Sequence, residues 1–318
     1  MRNRLFLYLI IVLPLVSLYS CQKEISSENG IAPVVPLTID SNYLSKIYAF
    51  DINGSSADTV EVVTYNYDNL KRVTSVVDSS KNLYNATQQS YFYFYNNSDT
   101  LPYKSVRYQV SAEDPALTQL TYDTIISYHL YDNAGRNLKD SGIHSNSSIL
   151  NGYYSTYTVK QYSYALNRIY GYASSNPISV PYSFVSPDEK DTAVLDALGN
   201  IIDNKIYRYN SYTSLWELSI TSAFTYDTKA SPFSRLSNFK TFGVFPNGET
   251  FYGELPQKTN RVTQNEHHSF SNGAPGVHFD YSYFNSYNAN GLVKGISVYD
   301  QPPNPTMYSK IILVYKAL

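Results

Sequence analysis

Cysteine is nearly missing from this chain of 318 residues: there is one, alongside one tryptophan and two methionines. A single thiol cannot pair within the chain, which excludes a disulfide scaffold. Charge is sparse too, at 16% of residues, against roughly 25% in an average soluble domain. The 24 basic and 26 acidic side chains leave no positive excess to attract a nucleic-acid backbone, so no nucleic-acid partner is expected. Beyond residue 40 no helical periodicity is sustained over about ten residues, and amphipathic helices are not expected. There is no nucleophile elbow, phosphate-cradling glycine loop, Cys–His pair or Rossmann fingerprint, and no cofactor is expected. Tyrosine is what abounds: 34 residues, within an aromatic content of 15%. That content is too apolar for a disordered chain.

The N-terminus reads as an address. Arg2 and Arg4 precede an apolar run from Leu5 to Val16. As a helix that run rises about 18 Å, short of a hydrocarbon core of about 30 Å. Charge, apolar run and small residues in that order describe a secretory signal, so residues 1–20 are set apart from the fold. Leu18-Tyr19-Ser20-Cys21 resembles the lipobox of bacterial lipoproteins, with Tyr19 bulkier than the usual Ala or Ser. The resemblance implies a diacylglycerol on the Cys21 thiol and an acylated new N-terminus, so that the membrane is a partner through a lipid anchor. Two or three acyl chains hold where one does not. Gln22, Lys23 and Glu24 follow, and this start is similar to that of many Bacteroidetes outer-membrane lipoproteins. It implies the outer membrane, facing either the periplasm or the cell surface. Residues 21–40, polar and then punctuated by Pro33 and Pro36, read as a tether, leaving 41–318 as one domain.

That domain repeats one phrase. Tyr65-Asn66-Tyr67-Asp68 puts two tyrosines on one face of a strand and ends on an acid. The phrase returns as Tyr93-Phe94-Tyr95-Asn96, His129-Leu130-Tyr131-Asp132, Tyr162-Ser163-Tyr164-Ala165, Val194-Leu195-Asp196, Phe224-Thr225-Tyr226-Asp227 and Asn285-Ser286-Tyr287-Asn288. Tyr48-Ala49-Phe50-Asp51 reads as an earlier copy, and the double interval before Asn288 suggests a lost copy near residue 258. The period is about 31 residues, room for two strands and their turns. Gly135, Gly199 and Gly291 each stand three residues after the acid, as Gly54 does after Asp51. An Asp that caps nearby N–H groups and a left-handed Gly three residues on make a tight turn between antiparallel strands.

Tyr131-Asp132-Asn133-Ala134-Gly135-Arg136 looks like the YD (Rhs-type) repeat, and Tyr67-Asp68 with Arg72-Val73 is a looser copy. Phe224 to Phe233 resembles a group of uncharacterised Bacteroidetes lipoproteins with degenerate YD-like units and a porin-like β fold. The likeness spans roughly residues 45–315 as scattered motifs, with Lys71 in place of the turn Gly and Ala165 in place of the acid. The fold expected is all-β: an antiparallel meander of about 14–18 strands, curled or closed into a soluble barrel-like sheet that hides its edges. A membrane barrel has the same alternation. Tyrosine, however, prefers an interface to mid-membrane, and an integral barrel needs no lipid anchor. Lys310 to Tyr315, the most continuous apolar strand, is expected to be buried on both faces and central to closure.

Chemistry is thin on this reading. His267 and His268 point to opposite faces if on a strand, so with His278 they read as loop residues rather than metal ligands. Asp188, Glu189 and Asp191 are the densest acids and would serve glycoside hydrolysis if folded to about 5–10 Å apart. Four Asp-Thr-apolar tripeptides, at Asp58, Asp99, Asp123 and Asp191, resemble acceptors of Bacteroidetes O-glycosylation, although turn-then-strand grammar also produces them. Most tyrosines fall in the repeat slot, where cross-strand ladders account for them. Tyr153, Tyr154 and Tyr157 fall outside it and are the candidate ligand-contact aromatics, placed in a loop and suited to a glycan or protein partner. The function expected is a non-enzymatic binding or scaffolding module of the envelope. The alternatives are a glycan-acting enzyme or a structural subunit of an outer-membrane complex.

Overall fold

The structure is a computed structural model that describes residues 42–51, 59–81, 86–112, 120–148, 152–177, 187–236, 258–269, 276–300 and 307–318. The signal, Cys21 and the tether lie outside the described residues. Sixteen strands form a meander: β1 (Asn42–Asp51), β2 (Thr59–Tyr67), β3 (Val73–Lys81), β4 (Ala86–Phe94), β5 (Lys104–Ala112), β6 (Leu120–Tyr131), β7 (Asn137–Ser148) and β8 (Gly152–Ala165). The second half runs β9 (Arg168–Pro177), β10 (Glu189–Leu195), β11 (Ile201–Asn210), β12 (Leu215–Ala230), β13 (Thr259–His268), β14 (Val277–Tyr287), β15 (Val293–Asp300) and β16 (Met307–Ala317). Each strand pairs antiparallel with the next, and β16 pairs with β1, closing a barrel without free edges. The expected meander is therefore present and closed, with sixteen strands.

Alternation sorts each strand into two faces, and in a closed barrel the buried face is the lumen. On β4, Tyr91 and Tyr93 are buried while Phe92 and Phe94 are exposed. β16 follows the same rule: Ile311 and Leu313 are buried, whereas Val314 is 40% exposed. This corrects the expectation of burial on both faces, because a strand of a single-layer barrel has an outer face with no second sheet upon it. Its part in closure stands, since β16 supplies the seam with β1.

Four hairpins share one turn to the atom. Asp68 Oδ1 accepts from the N–H groups of Leu70 and Arg72, and its Oδ2 accepts from Arg72 Nε at 2.7 Å. Asp132 treats Ala134 and Arg136 alike, Asp196 treats Leu198 and Asn200 alike, and Asn288 Oδ1 accepts from Asn290 and Leu292. The residue three after the acid is left-handed each time, at Gly135, Gly199 and Gly291, and at Lys71 with φ 63°. The turn expected from sequence is the turn formed, and Lys71 adopts the glycine conformation at a steric cost.

Past each of these turns the returning strand carries a β-bulge. Tyr67 opposes Val73, Tyr131 opposes Asn137, Leu195 opposes Ile201 and Tyr287 opposes Val293, with one extra residue before regular pairing resumes. Val73, Asn137, Ile201 and Val293 are each 0% exposed. Each also gives its carbonyl to a tyrosine of the next repeat: Tyr95 to Val73, Tyr164 to Asn137, Tyr226 to Ile201 and Tyr315 to Val293, at 2.6–2.7 Å. Tyr67 reaches Leu44 O in the same way, and Tyr131 reaches Pro102 O. The Arg that closes one turn stacks on the tyrosine of the next repeat, with Arg72 4.4 Å from the Tyr95 ring and Arg136 4.7 Å from that of Tyr164. The phrase read in the sequence is thus a link between neighbouring hairpins as well as a turn.

Two copies in the sequence reading are corrected. β12 and β13 are direct neighbours, so the double interval holds a long connection rather than a lost hairpin of the barrel. Within it, Pro232–Arg235 form a 3₁₀ turn capped by Ser231 Oγ, and Phe233 and Leu236 pack among the lumen residues of β1–β4 and β14–β16. The Tyr48–Asp51 copy ends β1 at the opposite end of the barrel from the other acids, because β1 runs away from the end where β2 finishes in Asp68.

Gly291 has φ 77° and open space where a Cβ would stand. Gly291→Ala is therefore expected to cost about 1–2 kcal/mol through backbone strain alone, measured by denaturant unfolding with an unchanged m-value.

Candidate functional site

The lumen is stratified. A barrel of this strand number is wide enough to leave an aqueous channel unless something fills it. At the end holding the acid-led turns it is filled: Leu44, Val73, Tyr93, Val293 and Ile311 pack with Phe233 and Leu236 of the 3₁₀ segment into one buried cluster. β12 leads into that segment and stands five places round the barrel from β1, so the segment enters the turn end as a plug. A second cluster, of Tyr162, Ile169, Ala193, Ile201 and Phe224, fills the facing wall.

Above this base the lining turns polar. Arg107 donates to Asp123 Oδ1 at 3.0 Å, and His144 Nε2 lies 2.8 Å from Asp123 Oδ2. Burial works against the Asp123 charge, but the His144 hydrogen bond and the Arg107 guanidinium outweigh it and hold the carboxyl below its ordinary range. Lys160 stands 3.0 Å from Asp191 and 3.8 Å from Glu189, and Arg208 is 3.8 Å from Glu189. Burial disfavours the Lys160 ammonium, yet these two acids prevail and raise it. Between β5 and β7, Ser105 Oγ lies 2.9 Å from His129 Nε2, and His129 Nδ1 lies 2.6 Å from Asp140 Oδ1. Asp140 Oδ2 accepts from Asn137 Nδ2 at 2.8 Å and from the Tyr162 hydroxyl at 3.3 Å.

The opposite end is a mouth. Tyr154 on β8 is 47% exposed and sits edge-on to His144, with ring centroids 6.0 Å apart. Across the mouth Phe279 on β14, 38% exposed, sits edge-on to His268 at 5.2 Å, and His268 pairs with Glu266. Each unit combines an accessible ring, an imidazole and a carboxylate.

The sequence candidates are redistributed by register. Tyr153, Tyr154 and Tyr157 lie on strand β8, not in a loop, and strand alternation sends Tyr154 to the lumen and the other two outside. They form no single platform: Tyr153 accepts from Ser155 Oγ at 2.7 Å on the outer face. Glu189 and Asp191 also lie on a strand, β10, with Lys160 between them, so the acids read as a loop patch are ion-paired wall residues. His267, His268 and His278 are strand residues too. His267 stacks on His278 across β13 and β14 on the outer face, centroids 4.1 Å apart, while His268 faces inward. Among the described residues no three His, Cys, Asp or Glu side chains converge to hold a metal ion. Of the Asp-Thr tripeptides, those at Asp123 and Asp191 have their acids engaged in lumen ion pairs.

Sequence reasoning missed Ser105, His129, Asp140, Arg107 and the pair Glu61–Asp78. Each is scattered over separate strands, and nothing short of the pairing register brings them together. Glu61 on β2 and Asp78 on β3 share the lumen face, one residue pair apart. Burial, with the adjoining Asp78 charge, pushes the Glu61 carboxyl up to about 8; burial raises Asp78 to about 6, opposed by the hydrogen bond from Glu61. The pair therefore retains a proton at neutral pH.

No protein-family model and no curated protein sequence matches the chain. Among solved structures it is similar to a porin-like protein from Bacteroides vulgatus ATCC 8482, at 12% identity and a TM-score of 0.45, covering 87% of this chain and 100% of that one. A porin-like protein from Bacteroides uniformis ATCC 8492 is similar at 10% identity and a TM-score of 0.36, over 87% of this chain and 98% of that one.

The Glu61–Asp78 pair gives stability a sign with pH. Acids whose pKa is raised on folding bind more protons in the native state, so the stability they confer is full below about pH 4 and is lost as pH rises through 6 and 8. Unfolding midpoints are expected to fall over that window, and Glu61→Gln, which keeps a donor toward Asp78 without a charge to lose, should flatten the slope.

Proposed function

We propose that this protein is an envelope lipoprotein, held at the outer membrane through Cys21, whose barrel is a binding module that receives a glycan at the lumen mouth. The observation that carries the binding reading is the stratified lumen. A base packed with buried side chains and plugged by Phe233 and Leu236 suits a receptacle better than a conducting pore. Exposed rings at Tyr154 and Phe279, each beside an imidazole and a carboxylate, supply a stacking surface with donors and acceptors for sugar hydroxyls. Tyr154 is the one of the three sequence candidates that faces this mouth.

The outer face supports an anchored rather than an embedded barrel. Its strands carry Lys46, Lys139, Lys205, Asp203, Asn265 and Asp280 among their outward positions. A lipid-facing band about 25 Å tall would hold few such residues.

Two outcomes follow. The wild-type chain should stay with carbonate-washed membranes and carry the mass of acyl chains, whereas Cys21→Ala should be released without it; retention of Cys21→Ala would mean that the barrel itself is embedded. On a glycan array, binding should fall at least about tenfold in Tyr154→Ala and Phe279→Ala, the order of one stacked ring or more, and stay unchanged in Tyr153→Ala on the outer face.

A further inference from the structure

The β6–β7 hairpin departs from the other repeats at buried positions. Two residues before the repeat tyrosine, Tyr65, Tyr93, Tyr162, Phe224 and Leu313 are all buried, β14 has the half-buried Asn285, and β6 places the buried His129 there. At the bulge, where Val73, Ile201 and Val293 are apolar, β7 carries Asn137. Three residues further, where β3 has Val76, β15 has Ile296 and β11 has Asn204, β7 carries Asp140. Replacing core side chains by polar ones costs stability unless each is bonded. These three are bonded, to one another and to Ser105.

We propose that Ser105, His129 and Asp140 form a nucleophile–base–acid relay that hydrolyses small carboxylic esters inside the lumen. The distances are those of a working relay: Ser105 Oγ to His129 Nε2 at 2.9 Å, His129 Nδ1 to Asp140 Oδ1 at 2.6 Å. An imidazole that donates Nδ1–H to the carboxylate has its Nε2 lone pair aimed at the serine hydroxyl. Asp140 is fixed by Asn137 and Tyr162 at its other oxygen, so it stays an acceptor and orients the ring. Triads of this kind are recognised by geometry, whatever the fold or chain order.

A row of small side chains adjoins the serine and is the approach the proposal assigns to the substrate. Ser105, Ser127, Gly142 and Thr158 are successive cross-strand partners, and the row ends at Ser175, which is exposed. Small side chains line this row from the buried nucleophile to solvent, and at Gly142 the wall is tight, since a Cβ there would meet Ile126 O at 2.7 Å and Ser127 Oγ at 3.1 Å. Arg107, on the same face two residues beyond Ser105, is 5% exposed, and its Nε–H is buried with no hydrogen-bond partner. Buried donors are nearly always bonded, so this one is available to a group that enters the row, such as the oxyanion of a tetrahedral intermediate.

The step balances with water as co-reactant. Ser105 Oγ attacks the ester carbonyl carbon while its proton passes to His129 Nε2, giving an oxyanion beside Arg107. The C–O bond to the alcohol breaks, and the leaving alkoxide takes the proton from His129. Water, deprotonated by His129, then attacks the acyl-serine, releasing the carboxylic acid and restoring Ser105.

The proposal rests on the reading that small molecules enter the lumen, and the experiment separates the two. The full-length protein is treated with a fluorophosphonate, and adducts are mapped by peptide mass; Ser105→Cys is treated in parallel with iodoacetamide. A wild-type adduct on Ser105, slowed at least about tenfold by Asp140→Asn, is the expected result. Alkylation of Ser105→Cys without a wild-type adduct would show an accessible but unactivated hydroxyl and overturn the relay. Failure of both reactions, in a protein whose circular dichroism is unchanged, would overturn the relay together with the lumen-entry reading.

Discussion

The hydrogen bond from a tyrosine hydroxyl to a bulge carbonyl is the interaction on which this barrel depends. A bulge displaces one residue from the ladder and leaves a main-chain acceptor in a buried place. At Val73, Asn137, Ile201 and Val293 that acceptor is met by the tyrosine of the following repeat. Each hairpin therefore completes the one before it. The need is mutual, since a buried phenol hydroxyl without a partner would itself cost about 1–3 kcal/mol. Burial pushes the Tyr67, Tyr131 and Tyr164 hydroxyls above their ordinary range, which keeps them protonated as donors across the pH range where the protein folds.

Filling follows from the same girdle. Sixteen strands enclose more space than aliphatic side chains can close. Tyrosines pointing inward from the end of nearly every second strand, with the 3₁₀ segment across them, close the turn end. The polar storey can exist only because that base is solid. Ion pairs such as Lys160–Asp191 and Arg107–Asp123 are held by geometry set below them, in a wall where isolated charges would be costly.

Much of the fold was legible in the sequence. The Asp or Asn followed three residues on by Gly specified a turn that the structure reproduces at Asp132, Asp196 and Asn288, because a local motif carries its own hydrogen bonds. Strand number and meander order followed from the period. The faces were less legible. Tyr153, Tyr154 and Tyr157 looked like one cluster, yet alternation divides them, and only the register on β7 tells which is inside. The apparent copy near residue 258 adds no strand to the barrel between β12 and β13, since spacing cannot distinguish a degenerate repeat from a connection. The lumen groups were illegible for a plainer reason: Ser105 and Asp140 are 35 positions apart in the chain, and only a register fixed by β5, β6 and β7 makes them neighbours of His129.

A signal was nonetheless present, in the comparison of the repeat with itself. The linking tyrosine is preceded two residues earlier by a large apolar or aromatic side chain at Tyr65, Tyr93, Tyr162, Phe224 and Leu313. His129 breaks that rule in the copy closest to the consensus turn, where Asp132, Gly135 and Arg136 are all in place. A repeat that has kept its turn intact while replacing its core by histidine, asparagine and aspartate has not simply decayed, for decay would show first at the exposed turn. The β8–β9 hairpin offers the contrast, having lost its acid to Ala165 and turning through Leu166, left-handed at φ 52°, while keeping Tyr162 buried and Tyr164 packed against its cluster. In this one well-formed copy, three buried positions exchange packing for hydrogen bonds to one another and to Ser105. Here those positions converge on Ser105.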